Sequence, residues 1–150
     1  MSLVLKTPLP YSSRLWQQVS PGDFIDGYAA ESPLSPKEAM QSALSLPGWA
    51  QALLSLRNRL VRPFGLKTEV SGTGTSAIFP VTYEDATEVI LGTDDSHLNF
   101  RICLHREAGR IHMATWVHCN NLLGRLYLGA VMPFHVLIVR DGMRRIARAA

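Results

Sequence analysis

The side chains in this sequence with chemistry to offer are five histidines, two cysteines and a scatter of carboxylates. Cys103, His105 and His112 are the closest set to a metal site, since one soft sulfur and two imidazoles are zinc ligands by type. A fourth ligand is not identifiable and no Cys-x-x-Cys spacing is present, so a solvated or partner-covered face is the better account. No metal or cofactor is expected. His135 follows Pro133 inside the most apolar stretch of the chain. Proline removes a backbone donor and frees a carbonyl upstream, and a buried His135 bonded to that carbonyl is the economical reading. The alternatives are a polar group at the back of a ligand cavity and a general base, which needs an orienting partner and a substrate proton within reach. Glu84, Asp85, Glu88, Asp94 and Asp95 lie around turns, where solvation explains them better than acid–base work. Gly72-x-Gly74-x-x-Ala77 imitates a dinucleotide fingerprint, but a strand-like Ile78-Phe79-Pro80-Val81 follows where a helix should open, so this is a loop. No nucleophile elbow, Walker loop or zinc-protease helix is present.

The elements that must position these residues can be read from periodicity. Asp23 to Ala30 is a first strand weakened by Gly27. Ser35-Pro36-x-Glu38 opens a helix, with Ser35 as its cap and Pro36 at its first position. That helix stops before Pro47-Gly48, and a second follows with Trp49, Leu53, Leu56 and Leu60 at helical spacing. From Ile78 to Cys119 the period changes to two. Thr87 to Leu91 is a strand closed by a turn-rich Gly92-Thr93-Asp94-Asp95-Ser96. The next two strands form a hairpin about Ala108-Gly109, in which Leu104 faces Met113, Ile102 faces Thr115, Phe100 faces Val117 and Leu98 faces Cys119. A slip by one residue would mix apolar and polar faces. The preferred register sets Cys103 beside Ala114, on the face opposite Cys119, so no disulfide joins them. It also places Arg101 against Trp116 as a cation–π pair. Asn120-Asn121 caps a long C-terminal helix that Pro133 should kink.

Bulk properties bound the class. At 150 residues, with 47% hydrophobic and 18% charged residues, the chain is one soluble domain, its first 21 residues an extended arm. The net charge of +3 is carried by Arg140, Arg144, Arg145 and Arg148 against Asp141, which suits a helix C-terminus and does not argue for nucleic acid. Leu122 to Val139 approaches membrane-spanning length, but Arg125, Pro133 and His135 interrupt it, so it reads as a buried helix and no transmembrane segment is expected. The N-terminus lacks the apolar core of a signal peptide. Two cysteines are too few for a disulfide scaffold and fit a cytoplasmic setting.

His97-Leu98-Asn99-Phe100-Arg101, Asn120-Asn121-Leu122-Leu123-Gly124-Arg125-Leu126-Tyr127, Met132-Pro133-Phe134-His135, and the earlier Leu46-Pro47-Gly48-Trp49 with Leu56-Arg57-Asn58-Arg59-Leu60, resemble a bacterial family of domains of unknown function, number 2867 in that series. That resemblance implies similarity to the START and Bet v 1 group. The implied fold is α+β and helix-grip: a curved antiparallel sheet around a long C-terminal helix, with a pair of helices after the first strand. Fusion of some members to short-chain-dehydrogenase-like domains implies an accessory role. No activity comes with the resemblance.

The function expected is therefore binding of a small apolar or lipid-like ligand between sheet and helix, with Phe100, Ile102, Met113, Thr115, Val117, Tyr127, Phe134 and His135 as the lining. A polyketide-cyclase-like enzyme using His135 or Tyr127 is the second reading, on fold analogy alone. An accessory module that docks a protein, a membrane surface or a second copy through an exposed Trp116 face or its basic Arg140 to Arg148 end is the third.

Overall fold

The computed structural model describes residues 4–44, 80–94 and 97–148. Its elements are β1 (Leu5–Lys6), a 3-10 turn (Arg14–Gln18), β2 (Phe24–Ile25), β3 (Tyr28–Glu31), α1 (Pro36–Leu44), β4 (Val81–Glu84), β5 (Glu88–Asp94), β6 (Leu98–Glu107), β7 (Arg110–Cys119) and α2 (Leu122–Arg148). The expected second helix with Trp49, Leu53, Leu56 and Leu60, and the glycine loop after it, lie outside the described residues.

Among the described residues seven strands form one open, curved antiparallel sheet, ordered β1-β3-β7-β6-β5-β4, with β2 also on β7. The long hairpin is its spine. Ala108 and Gly109 both take positive φ, 54° and 77°, the backbone that a two-residue turn between right-twisted strands requires. The register is the one expected, from Glu107 opposite Arg110 to Leu98 opposite Cys119.

The first strand breaks at Asp26-Gly27 into β2 and β3, yet its register on β7 continues, Ile25 opposite Trp116 and Tyr28 opposite Met113. A Cβ at Gly27 would lie 2.2 Å from the Thr7 carbonyl oxygen, so only glycine lets the N-terminal segment cross there. One boundary differs from expectation. β5 continues through Gly92 to Asp94, because those residues find full ladder partners in Arg101, Phe100 and Asn99.

Helix starts follow local chemistry. Ser35 and Glu38 form a reciprocal capping box, the Glu38 amide donating to Ser35 Oγ at 3.2 Å and the Ser35 amide to Glu38 Oε1 at 3.1 Å. Asn121 caps α2 by accepting the Gly124 amide at 3.0 Å.

Each sheet face carries a core. On one side α1 and the C-terminal half of α2 cover the sheet, with Val139, Met143, Ile146 and Ala147 packed on Tyr28, Val89, Leu104, Ile111 and Met113. On the other, the N-terminal segment folds down as a cover rather than standing off as an arm. Leu9 and Leu15 are buried there against Ile90, Cys103, Ala114 and Trp116. That face is thus closed by the chain itself.

The first half of α2 corrects a second expectation. Only 11% of its most apolar window is buried, although its mean hydropathy of 1.7 and its length would suit a membrane span. Leu122, Leu126, Phe134 and Leu137 are exposed. Arg140 and Arg144 continue the same side toward the C-terminus. Arg145 does not belong to a free basic patch. It pairs with Asp141 and donates to the Ser42 and Ala43 carbonyls at 3.0 and 2.9 Å, closing the end of α1.

Candidate functional site

Three of the histidines meet carboxylates, and two of those carboxylates come from the short Asp23-Phe24-Ile25-Asp26 run. The pair on the helix side of the sheet is Asp26 with His135. Asp26 stands where the chain breaks between β2 and β3. Its amide donates to the Thr115 carbonyl at 3.1 Å, and its Oδ1 accepts the Thr115 amide at 2.8 Å, replacing a backbone acceptor of the ladder. Its other oxygen, Oδ2, lies 2.9 Å from His135 Nε2. An ionised carboxylate only accepts, so Nε2 carries the proton of this bond, and in a neutral ring Nδ1 is left as the acceptor. Phe24 meets the imidazole edge-on, 6.2 Å between centroids.

Beside this pair sits Thr115. The residue is 6% exposed, and its Oγ1 is buried with no hydrogen-bond partner. A native interior rarely leaves a hydroxyl unpaired. Ile102 and Val117 flank it on the same face, across and along the hairpin. His135 bonds to Asp26 here, not to a carbonyl freed by Pro133 as expected, and Asp26 is the orienting partner that the sequence did not disclose.

The predicted lining is divided by the structure. Thr115, Val117 and Met113 are buried, while Phe100, Ile102 and Tyr127 are half-buried. Met113 and Ile102 belong to the packed core under the C-terminal half of α2. Phe134 is 46% exposed and turned from the sheet. Thr115 and His135 are linked through Asp26, and Val117 is paired with Phe24 and Phe100.

The outer face holds a second centre. Glu88 and His105 are 1% and 4% exposed. His105 Nδ1 lies 2.9 Å from Glu88 Oε2, the Arg14 amide donates to Glu88 Oε1 at 2.9 Å, and Ser12 Oγ is 3.1 Å from His105 Nε2. Burial could not hold Glu88 at a solvated turn, and this corrects its expected placement. The network ties the N-terminal segment to the sheet. Cys103 lies beneath, 3.4 Å from Ser13 Oγ, its thiol pushed up to about 12 chiefly by burial. His112, the cross-strand neighbour of His105, keeps Nδ1 buried without a partner. Burial, then the His105 charge, hold its imidazole below the usual range. No group able to hold a metal is found among the described residues.

The third pair, Asp23 with His118 at 2.6 Å, also accepts the Trp116 indole N–H at 2.9 Å. Burial raises the Asp23 carboxyl, but the bonds from His118, the Ser20 amide and Trp116 outweigh it and hold the group low. Trp116 stacks on His118, not under Arg101 as expected; Arg101 is ion-paired to Asp94 at 2.9 Å.

None of the three carboxylate partners was legible as such. Acids at two positions of an otherwise apolar strand were the one available signal, because a strand that buries both faces does not carry them without partners.

No curated protein matches the chain, and no solved structure does. The family model described as protein of unknown function (DUF2867) matches residues 20–142, a span that takes in all three histidine–carboxylate pairs but not the N-terminal cover, and the chain belongs to that family.

Proposed function

We propose that the chain is a binding domain for a small, largely apolar molecule with one polar head, held on the helix side of the sheet in a helix-grip arrangement. The observation that carries this is the unpartnered Thr115 hydroxyl beside the Asp26–His135 pair. An unsatisfied buried hydroxyl costs about 1–3 kcal/mol, which a ligand head would recover. The apolar body would lie along Phe24, Phe100 and Val117 beneath α2.

Native mass spectrometry of the purified chain, followed by solvent extraction, tests the reading. A discrete extra mass lost in Thr115→Trp and weakened in Thr115→Val, with the fold kept, is the expected result. Equal occupancy in wild type and Thr115→Trp would overturn it.

A second reading has its own observation. Asp26 orients His135, the requirement for a general base, and leaves Nδ1 to accept a proton. On that reading His135→Ala abolishes turnover even under conditions where the variant is still folded, while a binding domain without catalysis shows no turnover to lose. The exposed apolar side of α2, running into Arg140 and Arg144, favours an accessory docking role as a third.

A further inference from the structure

The outer face contains a recess that the helix-side reading does not use. An open recess of about 340 Å³ lies between the 3-10 turn and β4, bounded by Arg14, Gln17, Gln18, Tyr83, Ile90 and Arg101. Its volume falls at the lower end of the range for small-molecule sites. Two guanidinium groups line it, and no carboxylate does.

The state of those two arginines is informative. Arg14 rests its guanidinium over the Tyr83 ring, 4.3 Å from the centroid, and has no carboxylate partner among the described residues. Arg101 commits one terminal nitrogen to Asp94 at 2.9 Å and to the Phe100 carbonyl at 2.7 Å, while its buried Nε has no partner at all. A guanidinium offers five donors, and a buried one left idle calls for an acceptor. The nearby acids are spoken for. Asp94 is bound to Arg101 at the surface. Asp85 is turned into the β4–β5 corner, accepting the Tyr83 hydroxyl at 2.6 Å and the Thr87 and Glu88 amides at 2.7 and 2.9 Å.

We propose that this recess binds a small organic anion, a carboxylate or a phosphate, with the Arg14 guanidinium taking the charged oxygens, the Arg101 guanidinium adding its positive charge, and the Gln17 and Gln18 amides completing the shell. Arginine suits this role because its planar fork matches both anions and stays charged.

The test is an NMR titration of the full chain with benzoate and with phenyl phosphate, benzyl alcohol serving as the neutral control. Saturable shifts of the Gln17 and Gln18 side-chain amides and of the Arg101 Nε–H are expected with at least one anion and not with the alcohol. Affinity should fall at least about tenfold in Arg14→Gln, the loss of one charged hydrogen-bonding group. Arg14 is exposed, so this variant keeps the fold and decides the matter even where Arg101→Gln does not fold. The tighter of the two anions names the source class. Absence of saturable shifts with both anions, equal affinity in Arg14→Gln, or equal binding of benzyl alcohol would overturn the proposal.

Discussion

His135 and Asp26, 109 positions apart in the chain, meet at 2.9 Å where β2 gives way to β3 beneath the long helix. The same carboxylate takes the Thr115 amide at 2.8 Å, so one side chain both completes the β7 ladder and docks α2. Removing it orphans a buried amide. Asp26→Ala is expected to destabilise the fold by about 1–3 kcal/mol, and Asp26→Asn by less, since an amide oxygen can still accept from Thr115. Urea unfolding of the two variants checks this; equal losses would mean that the ladder bond does not matter.

The Glu88–His105 pair fastens the N-terminal segment. His105→Ala leaves a buried carboxylate held by the Arg14 amide and the weak Cys103 thiol donor, a loss of about 3–5 kcal/mol. Limited proteolysis of His105→Ala should cut within residues 4–21 before the hairpin is lost. Cleavage first in the hairpin would show that the segment is not what this pair holds.

The two thiols should differ in kinetics. Cys103 is fully buried and its thiol is pushed up to about 12, while Cys119 is half-buried. Thiolate is the reactive form. An Ellman titration of the native chain at pH 8 should therefore count one thiol, lost in Cys119→Ser, and two only after unfolding.

His112 sets a pH dependence with a definite sign. Burial favours its neutral form in the folded chain, so the unfolded chain binds the proton more readily, with a pKa of about 6.5. Its contribution is fully present above that value and is lost as pH falls through it toward the lower folded-state value. Unfolding midpoints measured at pH 7 and pH 5 should draw closer together in His112→Leu than in wild type.

The two halves of α2 should respond unequally to substitution. Leu126→Gln alters an exposed side chain and should change stability by no more than about 0.5 kcal/mol. Met143→Ala opens the core and should cost about 2–5 kcal/mol. Comparable losses at both positions would contradict the exposure of the first half.

What the sequence determined by itself is the local architecture. The Ser35–Glu38 box, the Asn121 cap and the hairpin register from Glu107 to Leu98 were legible, because each rests on contacts within a few residues or on a period-two pattern that tolerates no slip. The tertiary structure decided everything that depends on distant partners. His118 finds Asp23 across 95 positions, His105 finds Ser12 across 93, and the unexpected cover on the outer face comes from the N-terminal segment. A carboxylate's own sequence context records that it is charged, not which imidazole will neutralise it, so Glu88 read as a turn residue until the fold buried it. The long helix misled for the same reason. Its apolar composition suits burial, but which half is buried depends on how far the sheet extends beneath it, and the sheet supports chiefly the end carrying Val139, Met143 and Ile146.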